Sequence, residues 1–244
     1  MNEHKIKISV NMYQIYWIFN GNNTEISKFE QPSIWKTSIK LNNATEIVLL
    51  RTGSLSYDIV PPHSNKNTTL GNFLKNHLQK AVKINSNEIA RESAIAMIHE
   101  GFTVELLQHI PIIHIEDAGI GNAFSPCVWL MAAIKNGYPA YCEEMDRVAT
   151  SCGDLAANPH NRIKPLIADL KEINVDWIQH YLTIPPTRKD ILVAICVRIL
   201  YGGKKSDMHL LKQAATAVLS GLNLQKTTTY LNEGTSSAII FKSL

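Results

Sequence analysis

The sequence predicts an α+β fold, with a small β-rich N-terminal part followed by a larger all-helical domain. Three observations carry that expectation. Ile6, Ile8 and Val10 alternate with Lys7 and Ser9, the two-residue period of a half-buried strand. From Leu70 onward the period lengthens: Phe73, Leu74, His77, Leu78, Ala81 and Val82 recur at three- and four-residue steps, the stripe of an amphipathic helix. Between the two patterns lies Pro61-Pro62-His63-Ser64-Asn65, whose prolines remove backbone donors and disfavour helix in the residue before each of them. The expected division is a β-rich region over 1–62 and a helical domain over 70–244.

Within the first region, Tyr13 to Phe19 is aromatic and β-branched, and Asn20-Gly21-Asn22-Asn23 is a turn signal. Trp35 to Leu41, Glu46 to Arg51 and Ser54 to Val60 are further expected strands, separated by Asn42-Asn43 and Gly53. In the second region, Asn85 and Glu88 suit a capping arrangement at a helix start. That helix carries Ile89, Ser93, Ala96 and Met97 on one face, and Gly101 closes it. Thr103 is the expected cap of the next helix. Pro111 should kink that helix or open a new segment, because it lacks an N–H and crowds the preceding turn. Ser125-Pro126 reads as another helix start, ended by Asn136-Gly137. Glu143 to Ala157 is a further helix, broken by Asn158-Pro159. Two helices flank Pro185-Pro186, the second nearly all apolar from Ile191 to Leu200. Met208 to Gly221 is the last amphipathic helix, and Ser236 to Phe241 is read as a short returning strand.

Composition narrows the class. With 45% hydrophobic and 18% charged residues in a 244-residue chain, a sizeable core is expected rather than disorder. A net charge of +3, from 24 basic and 21 acidic side chains, is too even to argue for nucleic acid by charge alone. Cys127, Cys142, Cys152 and Cys196 contain no C-x-x-C and read as reduced thiols, with a Cys142–Cys152 disulfide as the alternative. The apolar run Met12 to Phe19 is too short to span a bilayer and unlike a signal peptide. An intracellular, soluble protein with no membrane partner is expected.

The stretch Leu78 to Pro126 resembles a specific module. Leu78-Gln79-Lys80-Ala81-Val82-Lys83 forms a basic, hydrophobic lead-in. Glu88 to Glu100 is a helix of small and apolar residues ending at Gly101. Ile115-Glu116-Asp117-Ala118-Gly119 follows, then Gly121-Asn122-Ala123 and Pro126. This order resembles the oligomerisation collar of the replication-associated recombination protein A (MgsA-type) family, clamp-loader-like ATPases of stalled replication forks. Arg147 to Cys152 and Asn158 to Asn161 resemble the family's later helix and its break, so the collar-like core covers about 78–165. The family's paired arginines are Gln108 and His109 here, and Pro111 sits where the family is helical. No G-x-x-x-x-G-K-[ST] occurs, and Gly202-Gly203-Lys204-Lys205-Ser206 lacks the spacing to wrap phosphates in backbone N–H groups. The resemblance therefore implies a helical packing module that mediates assembly, without ATP hydrolysis. It makes Glu116, Asp117, Gly119 and Asn122 the interface or structural signature.

Other clusters carry an ordinary structural reading beside a functional one. His114, Glu116 and Asp117, with His99 and His109, offer ligand types suited to zinc or manganese; capping of nearby N–H groups is the preferred reading. Glu143, Glu144 and Asp146 read as a solvated face near a helix N-terminus rather than an acid–base pair. Ser151, Asp154 and His160 lack a nucleophile elbow. Tyr13, Tyr16, Trp17 and Trp35 suit a core better than a stacking platform. Lys75, Lys80, Lys83 and Arg91, with Arg162, Lys164, Arg188, Lys204 and Lys205, are candidate phosphate contacts, the first three as a helical ridge.

The expected function is a non-enzymatic assembly or scaffold subunit of a nucleic-acid-processing complex acting in replication, repair or recombination. Its expected partners are further copies of itself or other subunits, and nucleic acid. No catalytic residue, metal or cofactor is assigned. A single- or double-stranded nucleic-acid-binding protein is the alternative, and a metal-dependent hydrolase using His114, Glu116 and Asp117 the second.

Overall fold

The computed structural model describes residues 13–41, 45–54, 58–61, 67–157 and 185–221. Four strands, β1 (Tyr13–Phe19), β2 (Thr24–Ser27), β3 (Trp35–Lys40) and β4 (Thr45–Arg51), form one sheet in the order β2-β1-β4-β3. β1 and β4 lie parallel at the centre, in register from Tyr13 opposite Thr45 to Phe19 opposite Arg51, and the outer strands are antiparallel to them. Helices α1 (Thr68–Lys83), α2 (Asn87–His99), α3 (Thr103–Ile113), α4 (Phe124–Lys135) and α5 (Cys142–Ala157) follow, then α6 (Pro186–Leu200) and α7 (Lys205–Leu219). The α+β class holds: a small N-terminal sheet precedes a larger helical array. Among the described residues, no helix is long and apolar enough to cross a membrane.

Strand alternation decides how the sheet packs. Ile15, Trp17, Phe19, Ile39, Ile47 and Leu49 all enter the same continuous core as the helices. Their neighbours Ile18, Val48 and Leu50, with Tyr16, form a second apolar cluster, as the pleat requires. Trp129 of α4 is the anchor between layers. Its ring lies 4.9 Å from Phe19 and 5.9 Å from Trp35, centroid to centroid, and its Nε1–H donates to the Trp17 carbonyl at 3.0 Å. Trp17 Nε1–H donates to Asp190 Oδ1 of α6 at 2.7 Å, and the Thr24 hydroxyl donates to Asp190 Oδ2 at 3.0 Å. On the helical side, α2 packs against α1 and α5. Gly153 permits the close α2–α5 approach, since an added Cβ there would run into Asn87.

A buried ion pair completes the docking. Arg51, at the end of β4, is 3% exposed, and its Nε–H donates to Glu144 Oε1 of α5 at 2.9 Å and faces the Tyr138 hydroxyl at 3.1 Å. The Tyr138 hydroxyl donates to the same carboxylate oxygen at 3.0 Å. Arg51 also lies over the Phe19 ring at 5.2 Å. Burial pushes the Glu144 carboxyl above its usual range, against the opposing pull of Arg51 and Tyr138.

Several local expectations need correction. Thr24–Ser27 is a strand that its short, mixed sequence does not announce; its pairing with β1 creates it. Among the described residues of Ser54 to Val60, only an isolated bridge forms, between Ile59 and Tyr141. Ser86, not Asn85, is the N-cap of α2, without a side-chain bond. Asn85 instead ends α1, at φ +60° with its N–H on the Val82 carbonyl, a left-handed position asparagine tolerates. Gly101 closes α2 at φ +77°, but Phe102 rather than Thr103 is the N-cap of α3. Helix α3 runs through Pro111. Pro126 stands at the third position of α4 rather than the first. Glu144 is not on a solvated face: it is 3% exposed. The strands expected at Ile6 to Val10 and Ser236 to Phe241, and the break at Asn158-Pro159, lie outside the described residues.

Glu144→Ala would leave the Arg51 guanidinium buried without its counter-charge and should cost about 3–5 kcal/mol in urea unfolding. The pair Arg51→Met with Glu144→Leu should cost less than the sum of its two single changes. A near-neutral Glu144→Ala would show that the pair does not hold the sheet on the helices.

Candidate functional site

Glu116 and Asp117 sit in one π-helical turn, His114–Ala118, that continues α3. Gly119 ends the turn at φ +82° and ψ +153°, a conformation essentially open to glycine alone. Its N–H bonds the His114 carbonyl at 2.7 Å. Gln79 of α1 donates from Nε2 to Glu116 Oε2 and to Asp117 Oδ2, both at 2.9 Å. Lys83 Nζ lies 3.7 Å from Asp117 Oδ2. The two carboxylates therefore clamp the turn to α1. His114 is buried, with Nδ1 2.8 Å from the Gly119 carbonyl oxygen and 3.3 Å from the Gly121 amide nitrogen.

Glu116 also borders a polar groove of about 530 Å³ between α1, α3 and the α6–α7 loop. That volume is in the range of small-molecule sites. Lys75 and Gln79 of α1, Gln108 and His109 of α3, Arg198 of α6, and Lys204 face it. Arg198 is 3% exposed; its Nε–H donates to the Gln108 carbonyl at 2.9 Å and its Nη1–H to the Gly202 carbonyl at 2.5 Å. No carboxylate among the described residues is within ion-pairing distance of it, and burial holds its pKa below the ordinary arginine value, with Asp207 opposing. His109 Nε2 is covered and has no hydrogen-bond partner among the described residues. Burial first, and the Lys75 charge second, lower its pKa from 6.5 to about 4.

The expected phosphate contacts are divided by this geometry. Lys75 and Lys204 meet at the groove, and Lys205 opens α7 beside it. Lys75, Lys80 and Lys83 do not make one ridge: at 100° per residue Lys80 stands about 140° around α1 from Lys75. Lys83 faces Asp117, and Arg91 pairs with Asp146 at 3.1 Å. Arg162 and Lys164 lie outside the described residues. Asn122 is exposed in the loop before α4, away from the groove.

Other clusters dissolve. Among the described residues, no three His, Cys, Asp or Glu side chains are placed to hold a metal ion. The Ser151 hydroxyl donates to the Val148 carbonyl at 2.7 Å, and His160 lies outside the described residues. Trp17 is fully buried and Trp35 packs on the core. All four cysteines are free thiols, Cys142 exposed and Cys152 buried. Burial pushes the Cys127 and Cys196 thiols up to about 12, so neither is a thiolate nucleophile at neutral pH. The sequence did not single out Arg198. Its only local signal is a lone charge in the otherwise apolar run Ile191 to Leu200, close to the Gly202-Gly203 pair. No family model, curated protein or solved structure matches this chain.

The depressed His109 pKa has a direction in stability. The unfolded histidine, near 6.5, takes up a proton before the folded one, near 4. Stability from this site is therefore full above pH 6.5 and is lost as pH falls from 6.5 toward 4. The whole loss is on the order of 3 kcal/mol. His109→Gln should flatten that acid limb in unfolding measured from pH 7.5 to 4. An unchanged slope would show that His109 stays solvated.

Proposed function

We propose that this chain is a non-enzymatic assembly subunit of a nucleic-acid-processing complex, built on a collar-like helical domain. One observation carries the reading: the acidic residues that resemble the collar signature serve helix packing, with Gln79 and Lys83 holding Glu116 and Asp117 against α1. The exposed apolar residues support it. Phe73 and Ile84 are 61% and 59% exposed on one face of the α1 segment, and Ile89 opens α2 nearby. The Phe73 ring stacks on His77 at 5.8 Å, and His77 Nδ1 lies 2.8 Å from the Ser93 hydroxyl of α2. This face suits a second copy of the same helical pair, since large side chains left in water favour association. The setting in replication, repair or recombination comes from the resemblance, and an intracellular location from the reduced-thiol reading of the cysteines and the short N-terminal apolar run.

Nucleic-acid binding is the second reading, favoured by Arg198, Lys75 and Lys204 around one groove. Hydrolysis by a metal is the weakest, given the scattered histidines and carboxylates.

Light scattering on the eluted protein tests the first reading. The mass should be a multiple of 27.3 kDa and fall toward that value in a Phe73→Glu, Ile84→Glu variant. A 27.3 kDa species at every concentration would count against assembly through this face.

A further inference from the structure

We infer that the cavity between α4, α5 and the β1–β2 turn binds a small uncharged molecule, an apolar body about the bulk of phenol carrying one hydroxyl or N–H donor, with that donor on Glu144 Oε2. The inference goes beyond the assembly reading and does not rest on it.

The cavity follows from how two helices face the end of a strand. Helix α5 turns Glu144, Arg147, Val148 and Ser151 to it, at the i, i+3, i+4, i+7 steps of one helical face. Helix α4 contributes Pro126, Cys127 and Leu130, and Phe19 ends β1 on the third side. The exposed Asn22 and Asn122 mark the open side. The volume is about 180 Å³, and a cavity of about 150 Å³ accommodates benzene. A second observation, independent of the shape, sets what the ligand must carry. Glu144 is 3% exposed, and its Oε1 receives both the Arg51 Nε–H and the Tyr138 hydroxyl. Arg51 and Tyr138 do not line the cavity while Glu144 does, so Oε1 is turned away and Oε2 is the oxygen on the cavity side. Oε2 is covered and has no hydrogen-bond partner among the described residues. A carboxylate oxygen left dry and unbonded is costly, and a donor relieves it.

The walls and the local charges limit what carries the donor. Water alone satisfies one oxygen but gains nothing from Phe19, Pro126, Leu130 and Val148, since an ordered water needs two to four polar partners. An apolar body covers those walls and brings the donor with it. The body is uncharged, because each charge beside the cavity already has its counter-charge: Arg51 is paired with Glu144 and Arg147 with Glu143. The Arg147 Nη1–H is also taken, by the Gly21 carbonyl at 2.6 Å. A further cation would stand beside two guanidiniums, and a further anion beside a carboxylate. A phenol, or an alcohol or amide of similar bulk, meets all three conditions.

Methyl NMR shifts of the whole chain, read at Leu130 and Val148, test this. The probes are phenol, toluene, benzoate and benzylammonium. Phenol should shift both residues with a dissociation constant of about 1 mM or below. It should bind about tenfold tighter than toluene, which matches its bulk and lacks the donor. Benzoate and benzylammonium should bind more weakly than phenol. Val148→Phe puts a larger side chain into the cavity and should abolish the phenol shift at Leu130; if that variant does not fold, the comparison of phenol with toluene on the unaltered chain still decides. Toluene binding as tightly as phenol would overturn the inference, and so would a charged probe binding best. Silence of both residues with every probe at about 5 mM would leave water as the sole occupant and overturn it too. Undiminished phenol binding in a folded Val148→Phe variant would place the ligand elsewhere and have the same consequence.

Discussion

A guanidinium at the end of a central strand organises this molecule. Arg51 ends β4 where the sheet meets the helices, and side chains from three segments close over it: Phe19, Tyr138 and Glu144. Desolvating that charge is expensive, and the α5 carboxylate is the counter-charge that offsets it among the described residues, helped by the Tyr138 hydroxyl, the Thr52 carbonyl and the Phe19 ring. The requirement fixes several things at once. Glu144 must face inward, so α5 takes one rotation about its axis. That rotation sends Glu143 and Asp146 outward, to Arg147 and Arg91. Arg147 in turn donates to the Gly21 carbonyl at 2.6 Å, tying the β1–β2 turn to the same helix. The aromatic cluster around Trp129 then fills the space between the layers.

The acidic turn after α3 applies the same logic one layer further out. Two adjacent carboxylates on a regular helix would point in different directions. The widened π turn brings both within reach of a single amide, Gln79 Nε2. The turn thus joins α1 to α3 by hydrogen bonds where apolar packing gives way to the polar groove. Asp117 lies on the packed side and Glu116 on the groove side, so one dipeptide serves both the scaffold and the cavity beside it.

Much of this was legible in the residues. The Tyr13 to Phe19 strand, the change of period near residue 70, and the glycine after α2 follow from side-chain spacing and backbone sterics. The failures share one cause: interactions between segments far apart in the chain. Glu143-Glu144 looks like a solvated pair until Arg51 is brought beside it. Thr24–Ser27 becomes a strand because β1 offers its edge. The lysines of α1 look like a ridge when counted along the chain, yet the helical rotation separates Lys75 from Lys80. Arg198 and Gln108 are 90 residues apart, so no local pattern joins them. Gly202-Gly203-Lys204-Lys205-Ser206 lacks the spacing of a phosphate loop; Gly203 instead makes room for Arg198 and Met208.

Sheet and helices built on one core, and tied by the Arg51–Glu144 pair, should open together. Native-state hydrogen exchange measures this directly, because amides that open in one unit share one opening free energy. The β1 and β4 amides should exchange with the same free energy as the core amides of α4 and α5, and with the same denaturant dependence. Sheet amides that exchange at markedly lower free energy, while α4 and α5 stay protected, would contradict the account.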